Sequence, residues 1–155
     1  MSTSSCWISA CPSSTGSRYA AGSGPGEWLL LAAPGGGPAL AARVAGLAAR
    51  CPGELVTATD VTHGRALIRL TGSHAADVLA KVCGIDTSDG ITPDGAAFRT
   101  AVAAVATDVI RDDAGGVRSY LLHCERSSGA YLFGELLAAG GEFGIEIDGF
   151  TTEGN

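Results

Sequence analysis

Apolar and polar side chains alternate from residue 65 to residue 71. Ala66, Ile68 and Leu70 fall on one face, and Arg65, Arg69 and Thr71 fall near or on the other. This period of two predicts a half-buried strand. Gly72 then frees the backbone to turn, and Ser73 is placed to cap a helix. Ala75, Val78, Leu79 and Val82 follow at helical spacing, and Gly84 is placed to end that helix. Its apolar stripe most simply folds back onto the sheet face carrying Ala66, Ile68 and Leu70.

The rest of the chain is read by the same periods. Residues 27–33 (EWLLLAA) predict a strand, broken by the PGGGP run at 34–38. Residues 39–50 predict a helix with Leu40, Val44, Leu47 and Ala48 on one stripe, stopped by Pro52-Gly53. A second strand is expected at 55–59, with a bend near His63-Gly64 before the strand at 66–71. Residues 86–95 carry Asp-Gly pairs and Pro93 and read as a loop. Residues 100–111 alternate weakly around Val102, Val105 and Val109 and predict one strand. Residues 112–116 (DDAGG) predict a hairpin turn, and residues 117–125 the returning strand. Ser127 or Ser128 caps a last helix over 129–139, with Leu132, Leu136 and Ala139 on its stripe. Residues 143–150 add a short edge strand. Residues 1–26 pass through Ser, Gly, Cys and Pro with no apolar period and read as a poorly ordered leader. One domain over 27–150 and a tail at 151–155 complete the expected organisation. The expected class is α+β, a mixed, partly antiparallel sheet with helices packed on one face.

Charge and cysteine content narrow the function classes. A net charge of −6, with Lys81 the only lysine, argues against a nucleic-acid surface, which needs a basic patch. The five cysteines (Cys6, Cys11, Cys51, Cys83 and Cys124) form no CxxC, and no histidine stands at metal spacing from them. Free thiols in a reducing cytoplasm are the plain expectation, with Cys83 and Cys124 as small core residues. The longest apolar run, residues 28–33, is too short to span a bilayer, and no secretory signal of the usual form is present.

Several constellations invite a chemical reading. The strand, glycine turn, helix and second strand before Asp60 mimic the opening of a dinucleotide-binding unit. The fingerprint fails: a third glycine would be needed where Leu40 stands, and Pro38 removes an N–H where a pyrophosphate would be held. His63 lacks an orienting acid unless the chain bends toward Asp60. His74 falls in the first turn of a helix, whose positive end disfavours a second charge. His123 and Cys124 are strand neighbours facing opposite ways, which argues against a dyad. Asp86, Asp89 and Asp94 lack EF-hand spacing and read as solvated turn residues. Asp112 and Asp113 read as exposed carboxylates at a hairpin tip. Arg65 and Arg69, four apart on a strand, share a face; they are candidates for holding a carboxylate or an acidic partner surface, with a solvated strand face as the equal alternative.

The residues also carry a family resemblance. The run Asp60-Val61-Thr62-His63-Gly64-Arg65, the strand, Leu70-Thr71-Gly72, and a helix ending in Leu79-Ala80-Lys81 before Ile85-Asp86 resemble the gamma subunit family of heterotetrameric sarcosine oxidase. Two further places match. One is Gly24-Pro25-Gly26-Glu27-Trp28-Leu29-Leu30-Leu31, where Gly26 replaces the usual acidic residue. The other comprises Arg99-Thr100-Ala101-Val102-Ala103 and Glu125-Arg126-Ser127 with Tyr131-Leu132-Phe133. That family is related in fold to the folate-binding domain of the glycine-cleavage T-protein. The resemblance implies a non-catalytic subunit beside larger alpha and beta subunits, with FAD, FMN, NAD and tetrahydrofolate on those partners and none bound by this chain. It implies no catalytic or metal-binding residue here. The alternative is a free-standing folate-type binding module, in which Asp60 or Asp86 would be the carboxylate aimed at a pterin.

Overall fold

The computed structural model describes residues 6–9, 19–24, 27–32, 35–50 and 56–148. Its strands and helices run β1 (Cys6–Ser9), β2 (Tyr19–Gly24), β3 (Glu27–Leu31), α1 (Gly37–Ala48), β4 (Arg65–Gly72), α2 (Ala75–Val82), β5 (Ala97–Val102), β6 (Val105–Arg111), β7 (Ser119–Glu125), α3 (Gly129–Gly140) and β8 (Ile145–Asp148). Six strands form one sheet in the order β5-β6-β7-β4-β1-β8. All neighbours in it are antiparallel except β1 and β8, so the sheet is mixed. β2 and β3 form a separate two-stranded sheet. The fold is α+β, as expected.

Helices α2 and α3 cover one face of the large sheet. Ile68 and Leu70 of β4, Val102 of β5, Val109 of β6, and Tyr120, Leu122 and Cys124 of β7 meet Val78 and Leu79 of α2 and Leu132 and Leu136 of α3. The strand–turn–helix unit at 65–82 therefore folds back as its alternation dictates. Gly72 takes a φ of +129°, a region that L side chains avoid, and its N–H is held by the Arg118 carbonyl at 3.0 Å. A smaller apolar cluster lies on the opposite face, where Leu29 and Leu31 of β3, together with Leu67 and Ala97, pack on Ile110 and Leu121.

Several boundaries differ from those read in the sequence. The stretch taken as a poorly ordered leader contains β1 and β2. β1 is a four-residue strand whose ladder bonds come from β4 and β8, so its stability is not written in its own composition. The strand expected at 55–59 does not form over its described part: residues 56–61 are exposed and irregular. Both edges of β4 are already occupied, by β7 and β1, which leaves that run no partner there. The expected single strand over 100–111 is two strands, β5 and β6, joined at Ala103 and Ala104 with φ of +47° and +67°. Two positive values in succession mark the tight hairpin usually written Asn-Gly, so alanine concealed the turn. The Ala103 N–H donates to the Val82 carbonyl at 2.8 Å, tying the hairpin tip to the end of α2. Helix α1 starts earlier than expected because Pro38 sits in its first turn, where no N–H is needed. Its expected stop at Pro52-Gly53, and the tail at 151–155, lie outside the described residues. The helix caps also differ. His74, not Ser73, precedes α2, and neither His74 nor Ser128 makes a side-chain cap bond.

The approach of α3 to β4 depends on the absence of a side chain at Gly129. A Cβ there would stand 2.6 Å from the Ala66 Cβ, closer than real methyl contacts come. Gly129→Ala is expected to destabilise the chain by about 1–3 kcal/mol, the usual cost of overpacking. Adding Ala66→Gly should recover part of that loss. Urea denaturation of the single and double variants checks this, and equal stability of wild type and Gly129→Ala would refute the close packing.

Candidate functional site

The sheet face away from α2 and α3 is where the charges gather. Register places Arg99, Asp108, His123 and Leu67 in one row across β5, β6, β7 and β4. Arg99 Nε donates to Asp108 Oδ1 at 2.6 Å, and His123 Nδ1 lies 3.4 Å from Asp108 Oδ2. Arg99 Nη2 also reaches Glu27 Oε1 at 3.4 Å, which links the small sheet to this row. Asp108 and His123 are both buried. Burial pushes the Asp108 carboxyl up, but the hydrogen bonds from Arg99 and His123 outweigh it, so the group ionises below the usual carboxylate range. Burial also pushes His123 below the ordinary histidine range, against the opposing pull of Asp108, and the Arg65 charge adds to the fall. A neutral imidazole donating to an ionised Asp108 is the arrangement this environment favours.

Two further clusters tie the loops at one end of the sheet. Arg69 Nη2 meets Asp112 Oδ2 at 2.5 Å, and its Nη1 donates to Ser119 Oγ at 2.7 Å. Arg111 is buried, and its guanidinium meets Asp89, Asp113 and the Thr92 carbonyl. Arg118 meets the same Asp89 oxygen. Asp94 Oδ1 accepts from the Asp113 N–H at 2.9 Å. The loop after α2 is thereby fastened to the ends of β6 and β7.

These contacts correct two readings of the acidic residues. Asp112 and Asp113 are not exposed carboxylates at a hairpin tip: Asp112 is buried against Arg69, and Asp113 is half-buried against Arg111. Asp89 and Asp94 are more than solvated turn residues, because they brace the loop. The arginines that claim them are distant in sequence, so local spacing gave no sign of the pairing. Asp108 was missed altogether. A carboxylate in mid-strand among Val, Ala and Thr is the available signal, since aspartate is depleted in strand interiors.

The remaining candidates are placed as follows. Asp60 and Asp86 face solvent in separate loops, and each accepts a turn N–H, from Thr62 at 2.9 Å and Ser88 at 2.8 Å. Arg65 and Arg69 share the second sheet face, with Arg69 committed to Asp112 and Ser119 and Arg65 half-buried. His63 is exposed, and its carbonyl accepts from Arg126 at 3.1 Å. His74 stacks on Phe143 with centroids 5.0 Å apart, its Nδ1 2.9 Å from Asp77. Cys83 and Cys124 are buried free thiols, and Cys124 lies on the helix-covered face, away from His123. Among the described residues no three His, Cys, Asp or Glu side chains converge as a metal site would require. No described helix is long and apolar enough to cross a membrane.

A mixed sheet with two helices on one face and a paired-charge network on the other defines an α+β domain whose polar groups are spent mainly on holding its own loops. Comparison with known proteins gives that domain a family. The GCVT N-terminal domain profile matches residues 29–153, most of the chain, and the chain belongs to that family. A similar fold occurs in heterotetrameric sarcosine oxidase from Corynebacterium sp. U-96, solved in complex with pyrrole 2-carboxylate. The identity is 24% and the TM-score 0.68, over 83% of this chain and 62% of that one. No curated protein matches the sequence.

Two outcomes test the network. The unfolded chain takes up a proton on histidine near pH 6.5, whereas folded His123 resists it, so the unfolded state binds more protons as pH falls through that value. Stability should therefore fall between pH 7 and pH 5. Asp108 adds no slope in that window, because its contribution is fully present there and is lost only as pH falls through the carboxylate range and below it. His123→Gln is expected to flatten the slope, as read by urea midpoints at the two pH values. Separately, Asp112→Ala leaves the Arg69 charge buried without its partner. A loss of about 3–5 kcal/mol is expected, and a loss under 1 kcal/mol by the same measurement would show that the pair is not buried as described.

Proposed function

We propose that this chain is the non-catalytic gamma-type subunit of a heterotetrameric sarcosine oxidase. In this reading it works in the cytoplasm beside larger alpha and beta subunits. Those subunits carry FAD, FMN, NAD and tetrahydrofolate, oxidise sarcosine to glycine and pass the one-carbon unit to the folate. The observation that carries the reading is the fold likeness to a chain of such an oxidase across 83% of this sequence. The use of the buried charges supports it. Arg69, Arg99 and Arg111 each answer carboxylates of the same chain, so their charge is spent on the fold. Arg65 stays the sheet-face cation best placed for a partner. A folate site built on Asp60 or Asp86 gains no support, because both carboxylates face water and each is engaged by its own turn.

Co-expression tests the proposal. This chain should co-purify with candidate alpha and beta flavoprotein subunits as a large yellow assembly, sized by light scattering, that forms peroxide when given sarcosine. A colourless monomer that ignores those subunits and is stabilised by a reduced folate would replace this reading with the binding module.

A further inference from the structure

Helix α1 is apolar nearly all round, yet none of its residues is buried. Of its twelve residues, GPALAARVAGLA, only Arg43 is charged. A helix of that character normally lies inside a protein, because it has no polar face to offer water. Leu47 is 56% exposed. On β3, which ends six positions before α1 begins, Trp28 is 68% exposed and Leu30 36%, while Leu29 and Leu31 take the inward positions. Trp and Arg are the residues that most often carry binding energy at interfaces.

Charge says what kind of surface fits. The chain carries a net charge of −6, yet residues 28–53 contain no carboxylate and two arginines, Arg43 and Arg50. Leu47 is four residues after Arg43, on the same side of the helix, and Arg50 follows two residues past the end of α1. A second copy of this chain is a poor occupant. A two-fold contact centred on Leu47 would bring the two arginines of one copy toward the two of the other, like charge against like. We propose that α1 is the docking helix of this subunit, seated in an apolar groove bordered by carboxylates on one of the larger subunits, with Trp28 as a second anchor. This inference rests on the subunit reading above and deepens it.

The test uses the full chain co-expressed with the same alpha and beta subunits. Leu47→Glu, and separately the pair Arg43→Glu with Arg50→Glu, should reduce the recovered assembly roughly ten-fold or more. Thermal unfolding of each variant alone should match wild type, because these side chains are not buried. Ile91→Glu, at a 65% exposed loop position, is the control and should assemble normally. If wild type assembles and the α1 variants assemble equally well, the docking helix is wrong and the subunit reading stands. If the control fails as badly as the α1 variants, the effect is not specific to α1 and the inference falls. Self-association of wild type alone that Leu47→Glu abolishes would assign α1 to a second copy and overturn the proposal. If wild type does not assemble with the larger subunits, both readings fail together.

Discussion

The antiparallel register between β4 and β7 is the constraint on which the rest depends. It sets Ile68 against Leu122 and Leu70 against Tyr120 on the helix side, and Leu67 against His123 and Arg69 against Leu121 on the other. A slip of one residue would exchange the two faces. Leu70 would then point away from α2 and α3, and the Arg69 guanidinium would enter an apolar core. The penalty for a buried unpaired charge makes that alternative prohibitive. The same register carries Asp108 to His123 through β6 and delivers Ser119 to Arg69. Core packing and charge pairing are two consequences of one alignment.

The charged face shows how the chain holds its irregular segments. A buried ion pair contributes little net stability over an apolar replacement, because desolvation offsets most of the attraction. Removing one member is another matter, since the survivor is left uncompensated. Arg111 illustrates the use of this asymmetry. Its guanidinium joins the Asp89 loop, Asp113 and the Thr92 carbonyl, so that loop has one low-energy place to sit. The arrangement gives conformational definition to a segment with few apolar side chains of its own. It also explains why a chain with sixteen acidic residues presents so few convergent ones: several are consumed by arginines of the same fold.

That inward use of charge bears on function. A domain of the GCVT N-terminal family can be put to different ends, and fold alone does not select among them. Here most of the buried charged side chains answer one another, while Trp28, Leu30 and Leu47 are exposed and no residue of α1 is buried. That contrast is the ground on which we propose a partner for this domain in preference to a small ligand. The subunit reading and the docking helix both follow from that contrast.

Periodicity was sufficient wherever an element's own side chains decide its fate. The alternation of Ala66, Ile68 and Leu70, the stripe of Val78 and Leu79, and the stripe of Leu132 and Leu136 specified strand, helix and inward face, because burial of those residues is what forms the elements. The turn at Gly72 was legible for the same local reason: only glycine accepts its backbone angle at no cost. What the tertiary structure decided was everything whose energy comes from a distant partner. β1 exists because β4 and β8 offer ladder bonds, and Ala103 and Ala104 accept positive φ in a hairpin whose tip is held by the end of α2. Asp112 is buried because Arg69, forty-three residues earlier, is there to meet it. Local sequence states the preference of a segment. Long-range hydrogen bonds and ion pairs set the terms on which that preference is overruled, and they exist only once the sheet has closed.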